Sequence, residues 1–516
     1  MILSMAIAVA VVALAIYYYG YRNMNVFEKA GIPFEKPWPF FGNMGSAILQ
    51  VEALPYTVQR IYNLSKEAKY VGFYDFTMPV ALIKDPELMK SVAVKNFDHF
   101  TDHRQFVDES VDPLFGKNLF ALQGEVWKDM RNLLTPAFTS SKMKSMYLLM
   151  NKCANDFAVC LTKDAEEASG ESVIDSKAAF AKYTNDVIAS CAFGIGVDTM
   201  KDPENDFYTM GRDVTNISGL RTLKFFLARS APWLVKLLDI KLISERPANF
   251  FKNIISNTIR AREEEGITRP DMIQLMIDSR LKGKELSIDE MTSQAFIFFF
   301  GGFDTTSTLM SFASFVLATH EDAQARLQAE VDEVLEGSNG KPSYDDINGM
   351  EYLNAVIEET LRLYPVAAFT DRYCVKSFQL PPALPGGKPF NIEKGGSIWF
   401  SSFSVHRDPR YFTDPDTFDP DRFLGENKKR IEPSTYLPFG LGPRMCIGNR
   451  FALLETRVLV FHLLAKCQLE PSEKTSVPMK FSKKELTIRP EGGFWLTLKP
   501  RKNPWTSGTK KNKDVR

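Results

Sequence analysis

Phe439-Gly-Leu-Gly442-Pro-Arg444-Met-Cys446-Ile-Gly448-Asn-Arg-Phe-Ala452 is a turn-rich segment that runs into an apolar helical pattern. Glycines on both sides of Cys446 permit a tight turn and let the backbone approach a flat cofactor closely. Backbone N–H groups and the N-terminus of the following helix stabilise a thiolate, the form of cysteine that binds a soft metal centre. Arg444 can reach a carboxylate of the same cofactor. The other cysteines, at 153, 160, 191, 374 and 467, form no CxxC pair and show no zinc spacing, so they read as small buried hydrophobes.

Working outward, Val356-Ile-Glu-Glu359-Thr-Leu-Arg362-Leu-Tyr-Pro365 places a carboxylate and a guanidinium on one helix face, flanked by apolar residues and stopped by proline. Pro420-Asp-Arg422-Phe423 lies between that helix and the cysteine loop. Upstream, Gly301-Gly302-Phe303-Asp304-Thr305-Thr306 interrupts a long helical pattern with two glycines. A threonine there can turn its hydroxyl back onto the preceding turn. Trp127-Lys-Asp-Met-Arg131 sets an indole donor one helical turn before a guanidinium.

In their order along the chain these stretches resemble the signatures of cytochrome P450 enzymes, and FxxGxRxCxG is the family's heme-binding motif. Thr135-Pro-Ala-Phe-Thr139, Leu361-Arg-Leu-Tyr-Pro365 and Cys446-Ile-Gly-Asn-Arg-Phe-Ala452 are most similar to the animal microsomal family 3, which includes drug and steroid oxidisers and thromboxane synthase. The resemblance implies a mainly α fold with small β-sheets and heme b as cofactor. Cys446 would be the iron ligand, with Phe439, Arg444, Trp127, Arg131 and Arg372 around the heme. It implies a purely structural network of Glu359, Arg362 and Arg422, which holds the ligand loop. Asp304 and Thr305 would relay protons to bound oxygen. At Thr101-Asp-His103-Arg104, where relatives often carry two arginines, His103 departs from the pattern.

The chain has 516 residues, 45% hydrophobic and 24% charged, and its 63 basic and 63 acidic side chains cancel. That balance gives no general attraction to nucleic acid. From Ile2 to Tyr21 no side chain is charged, and tyrosines close the run. About twenty such residues match the roughly 30 Å hydrocarbon core of a bilayer, so one N-terminal transmembrane helix is expected over 1–21. A cleaved signal peptide would want a basic start and small residues at its end. Arg22, Lys29 and Lys36 follow, which leaves the body in the cytosol and, with the resemblance, points to the endoplasmic reticulum membrane. Pro33, Pro37 and Pro39 stiffen a basic hinge over 22–44. A single catalytic domain is expected over 45–503, and 504–516 reads as a basic tail.

Within the body, Tyr70–Tyr74 and Val80–Ile83 read as strands, Asp85-Pro86 opens a helix, and residues 120–265 are repeatedly helical. Ser287-Ile-Asp-Glu290 is a capping box that starts a helix reaching about Thr319. Candidate pocket walls are Phe296, Phe300 and Phe303, Phe106 and Phe120, and Ala367–Phe369. The hairpin charges Lys483, Lys484 and Glu485 face either solvent or the pocket. Lys128, Lys142, Lys144 and Lys428-Lys429-Arg430 offer a basic patch to an acidic flavoprotein. The resemblance implies NADPH-cytochrome P450 reductase as that partner, with cytochrome b5 as a second. NADPH and flavins would then act only through the reductase.

The function expected is monooxygenation of lipophilic substrates. Two rivals are a heme-thiolate isomerase of endoperoxides and a membrane-anchored heme sensor or carrier. Such isomerases often lack a complete acid–alcohol pair and a sensor would not need one, so Asp304 and Thr305 favour oxygenation.

Overall fold

Tyr70–Asp75 (β1) is buried at every position, as its run Tyr70–Tyr74 requires, with Asp75 paired to Arg104 and Arg229, and it turns at Phe76-Thr77 into Met78–Ile83 (β2). The computed structural model describes residues 24–501 except 106, 217, 218, 270, 282–285 and 486, together with Ile7, Val11, Leu14, Tyr17, Tyr18, Gly20 and Tyr21. The other strands are Ser172–Asp175 (β3), Thr370–Tyr373 (β4), Phe378–Leu380 (β5), Phe390–Ile392 (β6), Ser397–Phe400 (β7), Cys467–Pro471 (β8) and Trp495–Pro500 (β9). They form a four-stranded sheet in the order β1-β2-β7-β4, a three-stranded sheet β3-β9-β8 and the pair β5-β6. Among these named strands of the described residues, the β2–β7 pairing alone is parallel.

Helices of ten residues or more are, in chain order, Gly124–Leu134 (α1), Ser140–Glu167 (α2), Ser176–Ile188 (α3), Asp206–Thr215 (α4), Leu220–Ser230 (α5), Glu245–Glu265 (α6), Met272–Leu281 (α7), Ile288–Phe300 (α8), Thr306–Thr319 (α9), Glu321–Gly337 (α10), Glu351–Leu363 (α11) and Asn449–Lys466 (α12). The architecture is therefore mainly helical with small sheets, as expected. Ser287 and Glu290 form the capping box that starts α8. A π-helical turn, Gly301–Thr305, joins α8 to α9 without a break in the helical path. All of α9 from Thr306 to Ala318 is buried, so this path crosses the core, between α3 on one side and α12 on another.

One apolar core runs from Leu114 to Leu498, and a second gathers on the four-stranded sheet. The second reaches back to Phe27, which packs on Tyr74 and Phe390, so part of the hinge segment is seated on the body. The expected anchor lies mostly outside the described residues; of its positions, Ile7, Val11, Leu14, Tyr17, Tyr18 and Tyr21 are helical and exposed. Among the described residues no helix is long and apolar enough to cross a membrane. The basic tail also lies outside the described residues.

Candidate active site

Between the turn at Gly301–Thr305 and the loop ending at Gly448 lies a cavity of about 420 Å³. The loop is its floor. Gly440 and Gly442 adopt φ of 83° and 74°, and a Cβ on Gly442 would come within 2.1 Å of the Ala93 carbonyl oxygen. Only glycine fits there. The Cys446 N–H donates to the Phe439 carbonyl at 2.9 Å and the Met445 N–H to the Gly442 carbonyl at 2.9 Å, which closes the loop beneath the cavity. Phe439, Arg444 and Cys446 all line it. Burial pushes the Cys446 thiol pKa up, while the Gly448 N–H and the charge of Arg131 favour the thiolate.

The roof is one helix face: Ile297, Phe298, Gly301, Gly302, Thr305, Thr306 and Leu309. Gly301 has nothing within 4 Å of where a Cβ would stand, so it opens onto the cavity. Gly302 instead permits close packing, since a Cβ there would lie 2.9 Å from Ile188 Cδ1. The Thr305 hydroxyl donates to the Gly301 carbonyl at 2.5 Å. Its neighbour Asp304 is not on this face. Lys177 Nζ stands 2.9 Å and Arg489 Nη2 2.8 Å from its Oδ1. Burial opposes ionisation of Asp304, but those two cations outweigh it and hold the carboxyl below the usual range.

Trp127, Arg131, Arg372 and Arg444 bound the cavity at its edge. Arg444 lies over the Trp127 ring at 4.0 Å and donates to the carbonyls of Thr101 and Leu122, both at 2.7 Å. Arg372 donates to the carbonyls of Asp371 at 2.7 Å and Leu441 at 2.8 Å, while its Nε has no partner among the described residues. Burial holds Arg372 at about 10 and Arg444 at about 9. A thiol on the floor, an apolar slot and guanidinium groups at the edge fit a flat metal-bearing group with two carboxylates. Heme b meets that description.

Beneath the floor, Glu359 and Arg362 are fully buried. Arg362 binds both Glu359 oxygens, at 2.7 and 2.8 Å, and the carbonyls of His406, Pro415 and Thr417. Arg422 Nε completes the group 3.4 Å from Glu359 Oε1.

Several residues escape the motif reading. His406, one of only five histidines, joins Arg362 to the start of the cysteine loop at Leu437. Lys177 and Arg489 are the partners of Asp304. His103 lines the cavity, with Nδ1 2.9 Å from Asp371 Oδ1. The aromatic wall needs correction: Phe296 and Phe303 pack into an aromatic core with Phe251 and Phe299, and Phe300 packs on Phe115, away from the cavity wall. Phe298 takes that place, stacked on Phe138 at 5.3 Å. Phe120 and Ala367 do line the cavity, Ala368 and Phe369 do not, and Phe106 lies outside the described residues. Lys483 and Lys484 are exposed and Glu485 is half-buried, all away from the cavity.

The family model for Cytochrome P450 matches residues 32–497. "Cytochrome P450 9e2" of Blattella germanica is 44% identical over 512 residues, covering 94% of this chain and 95% of its own. "Probable cytochrome P450 9f2" of Drosophila melanogaster is 38% identical, with 92% and 95% covered. "Cytochrome P450 6k1" of Blattella germanica is 35% identical, with 92% of each covered. These relatives are insect proteins numbered in families 9 and 6, so the kinship to family 3 drawn from short motifs is replaced by the broader one.

Proposed function

The chain belongs to the cytochrome P450 family and is a monooxygenase, and from that premise we propose that it oxidises lipophilic small molecules with electrons from a separate NADPH-dependent reductase. A thiolate-bound heme supplies dioxygen activation and insertion of one oxygen atom into substrate. The protein supplies the ligand, the orientation, the protons and a dry cavity. The observation that carries the reading is that one cavity is lined together by Cys446, by Gly301 and Thr305, and by Trp127, Arg131, Arg372 and Arg444.

Cys446, Trp127, Arg131, Arg372 and Arg444 would hold the heme, and Phe439 would pack on it. Thr305 lines the cavity, and its hydroxyl, held on the Gly301 carbonyl, is the group we assign to passing a proton there. Asp304 is tethered to Lys177 and Arg489, so its share in proton delivery requires exchange of those contacts. Ile297, Phe298, Phe120, Val366 and Ala367 make the remaining wall apolar, which supports a lipophilic substrate.

Membrane attachment is supported by the uncharged N-terminal run and by exposed Leu220, Leu223, Trp233, Leu237 and Leu238 on α5 and the segment after it. The endoplasmic reticulum is the compartment that suits such an anchor. In the basic patch, Lys128, Lys144, Lys428 and Lys429 each pair with a nearby acidic side chain at the surface. Exposed pairs are weak enough to exchange for carboxylates of a reductase or of cytochrome b5.

The test is the difference spectrum of the reduced, carbon-monoxide-bound protein. A red-shifted Soret band in wild type that is lost in Cys446→Ser, followed by NADPH- and reductase-dependent product formation, supports the reading. A folded, heme-loaded wild type with a histidine-type spectrum would overturn it.

A further inference from the structure

Glu455 on α12 is 1% exposed, and neither of its carboxyl oxygens has a hydrogen-bond partner among the described residues. Tyr183 on α3 and Thr306, the first residue of α9, are equally buried, and both leave their hydroxyls unpartnered among the described residues. A buried polar group without a partner is costly, and native folds nearly always supply one.

The three groups come from elements that meet. α9 packs against both α3 and α12. The Thr184 hydroxyl donates to the Phe303 carbonyl at 3.0 Å, so α3 runs beside the turn that leads into α9. The charge of a Glu455 carboxylate would act on Tyr183, on Cys191 in the π-helical turn Ala189–Phe193 and on Cys153 of α2, which places the carboxyl among them. Burial pushes Glu455 well above the usual carboxylate range and no cation among the described residues offsets it, so the group is a neutral acid. One of its oxygens then donates and the other accepts.

This corner borders the cavity, which Ile188, Cys191, Thr306, Phe451 and Ala452 all line. Of these five, Thr306 alone carries a side-chain hydroxyl. Glu455 stands one turn along α12 from Phe451 and Ala452, about 5 Å deeper along the helix axis.

We propose that Glu455, Tyr183 and Thr306 form a buried binding site for a small cluster of water, walled by α3, α9 and α12 and joined to the cavity by the Thr306 hydroxyl. An internal water needs two to four polar partners, and an acid with two hydroxyls supplies both donors and acceptors. The site is separate from Asp304, whose carboxyl is taken by Lys177 and Arg489. It gives the cavity wall a neutral acid whose proton exchanges with water. The hydration itself needs no cofactor, whereas its link to the cavity rests on the heme reading above.

Two measurements on the purified protein test the site. The first compares melting temperatures of wild type, Glu455→Gln and Glu455→Met. Glutamine offers a donor and an acceptor to the same water and should melt close to wild type. Methionine fills similar space but strands the water and the two hydroxyls, and should lower the melting temperature by at least about 2 °C. In a dry site methionine would instead remove a polar group that nothing satisfies, so a Glu455→Met protein melting at or above wild type overturns the proposal.

The second is the light-minus-dark infrared difference spectrum of the ferrous carbon-monoxide complex, recorded in H2O and D2O. Photolysis disturbs the cavity, and a neutral acid linked to it through water should answer with a carbonyl-stretch difference band. That band should move to lower frequency in D2O, vanish in Glu455→Gln and shift in both Thr306→Val and Tyr183→Phe. No band, a band that survives Glu455→Gln or a band unmoved by D2O overturns the proposal. If Glu455→Gln cannot be isolated with heme, a band shifted in both Thr306→Val and Tyr183→Phe supports the site, and any other result overturns it. Without a thiolate-type carbon-monoxide spectrum in wild type the heme reading fails, and the melting series still decides the site. With that spectrum and no carboxyl band, only the water site is misassigned.

Discussion

His406 accepts the backbone N–H of Leu437 at Nε2, 2.7 Å away, at the start of the cysteine loop. Its Nδ1 donates to the Arg362 carbonyl at 3.0 Å. One ring thus ties the helix that carries the buried ion pair to the loop that carries the ligand. His406→Phe keeps a ring against Tyr436, which it stacks on at 5.4 Å, but leaves a buried N–H and a buried carbonyl unpaired. Each orphaned group costs about 1–3 kcal/mol. We expect a lower melting temperature and reduced heme content in the purified variant, by calorimetry and pyridine hemochrome assay.

Because it accepts at one nitrogen and donates at the other, His406 is neutral, and burial holds its pKa at about 3. His462, bonded to Asn151, is held at about 3 as well. In the unfolded chain both regain about 6.5. Their contribution to stability is therefore complete above about pH 6.5 and is lost progressively as pH falls toward 3, because the unfolded state takes up two more protons. Denaturant midpoints measured from pH 7 to pH 4.5 should decline, and the slope should halve when His462 is replaced by Gln.

Arg362 binds two carboxylate oxygens and three carbonyls from one planar fork. Lysine keeps the charge but offers three donors from one point, so Arg362→Lys must abandon several of these acceptors. Glu359→Gln leaves a buried guanidinium without its counter-charge, a loss of about 3–5 kcal/mol. Both variants should accumulate without heme, and equilibrium unfolding should place Glu359→Gln below Arg362→Lys.

How far these features are legible in sequence depends on whether a residue acts locally. The cysteine loop and the pair at Glu359 and Arg362 are readable because turn chemistry and helix spacing fix them within a few residues. The aromatic wall was misplaced although its signal was present. At about 100° per residue, the face of Gly301 and Thr305 also carries Ile297, Phe298 and Leu309, while Phe300 and Phe303 point elsewhere. His406, Lys177 and Arg489 had no such signal, since their partners stand 31 to 185 residues away in the chain. The short strand β3 was also missed, because its edge pairing to β9 is set by the far terminus.

Adjacent glycines should respond oppositely to alanine. A methyl at Gly302 meets Ile188 Cδ1 at 2.9 Å, so Gly302→Ala should destabilise by about 1 kcal/mol, and Ile188→Val should rescue it by removing that carbon. A methyl at Gly301 meets no atom within 4 Å. Gly301→Ala should leave stability unchanged or raise it by up to about 1 kcal/mol, yet it fills space between roof and floor. Its effect should appear in substrate-induced spectral shifts rather than in the melt.

Asp304 and Thr305 are neighbours that the π-helical turn points apart, and their variants should separate structure from chemistry. Asp304→Asn removes the anion shared by Lys177 and Arg489, whose groups both lie within 3 Å of it. Lys177 is already pushed down to about 8, with burial the largest cause, and loss of Asp304 would press it further. We expect a destabilisation of about 3–5 kcal/mol in denaturant unfolding. Thr305→Ala removes a hydroxyl that turns back on Gly301 and one methyl group beside the cavity, so stability should stay within about 1 kcal/mol. Proton delivery should suffer instead. With reductase, product formed per NADPH should fall about tenfold or more, with hydrogen peroxide rising in its place. A Thr305→Ala protein that melts as low as Asp304→Asn would show that the alcohol holds the turn together, and the proton-relay assignment would then lose its support.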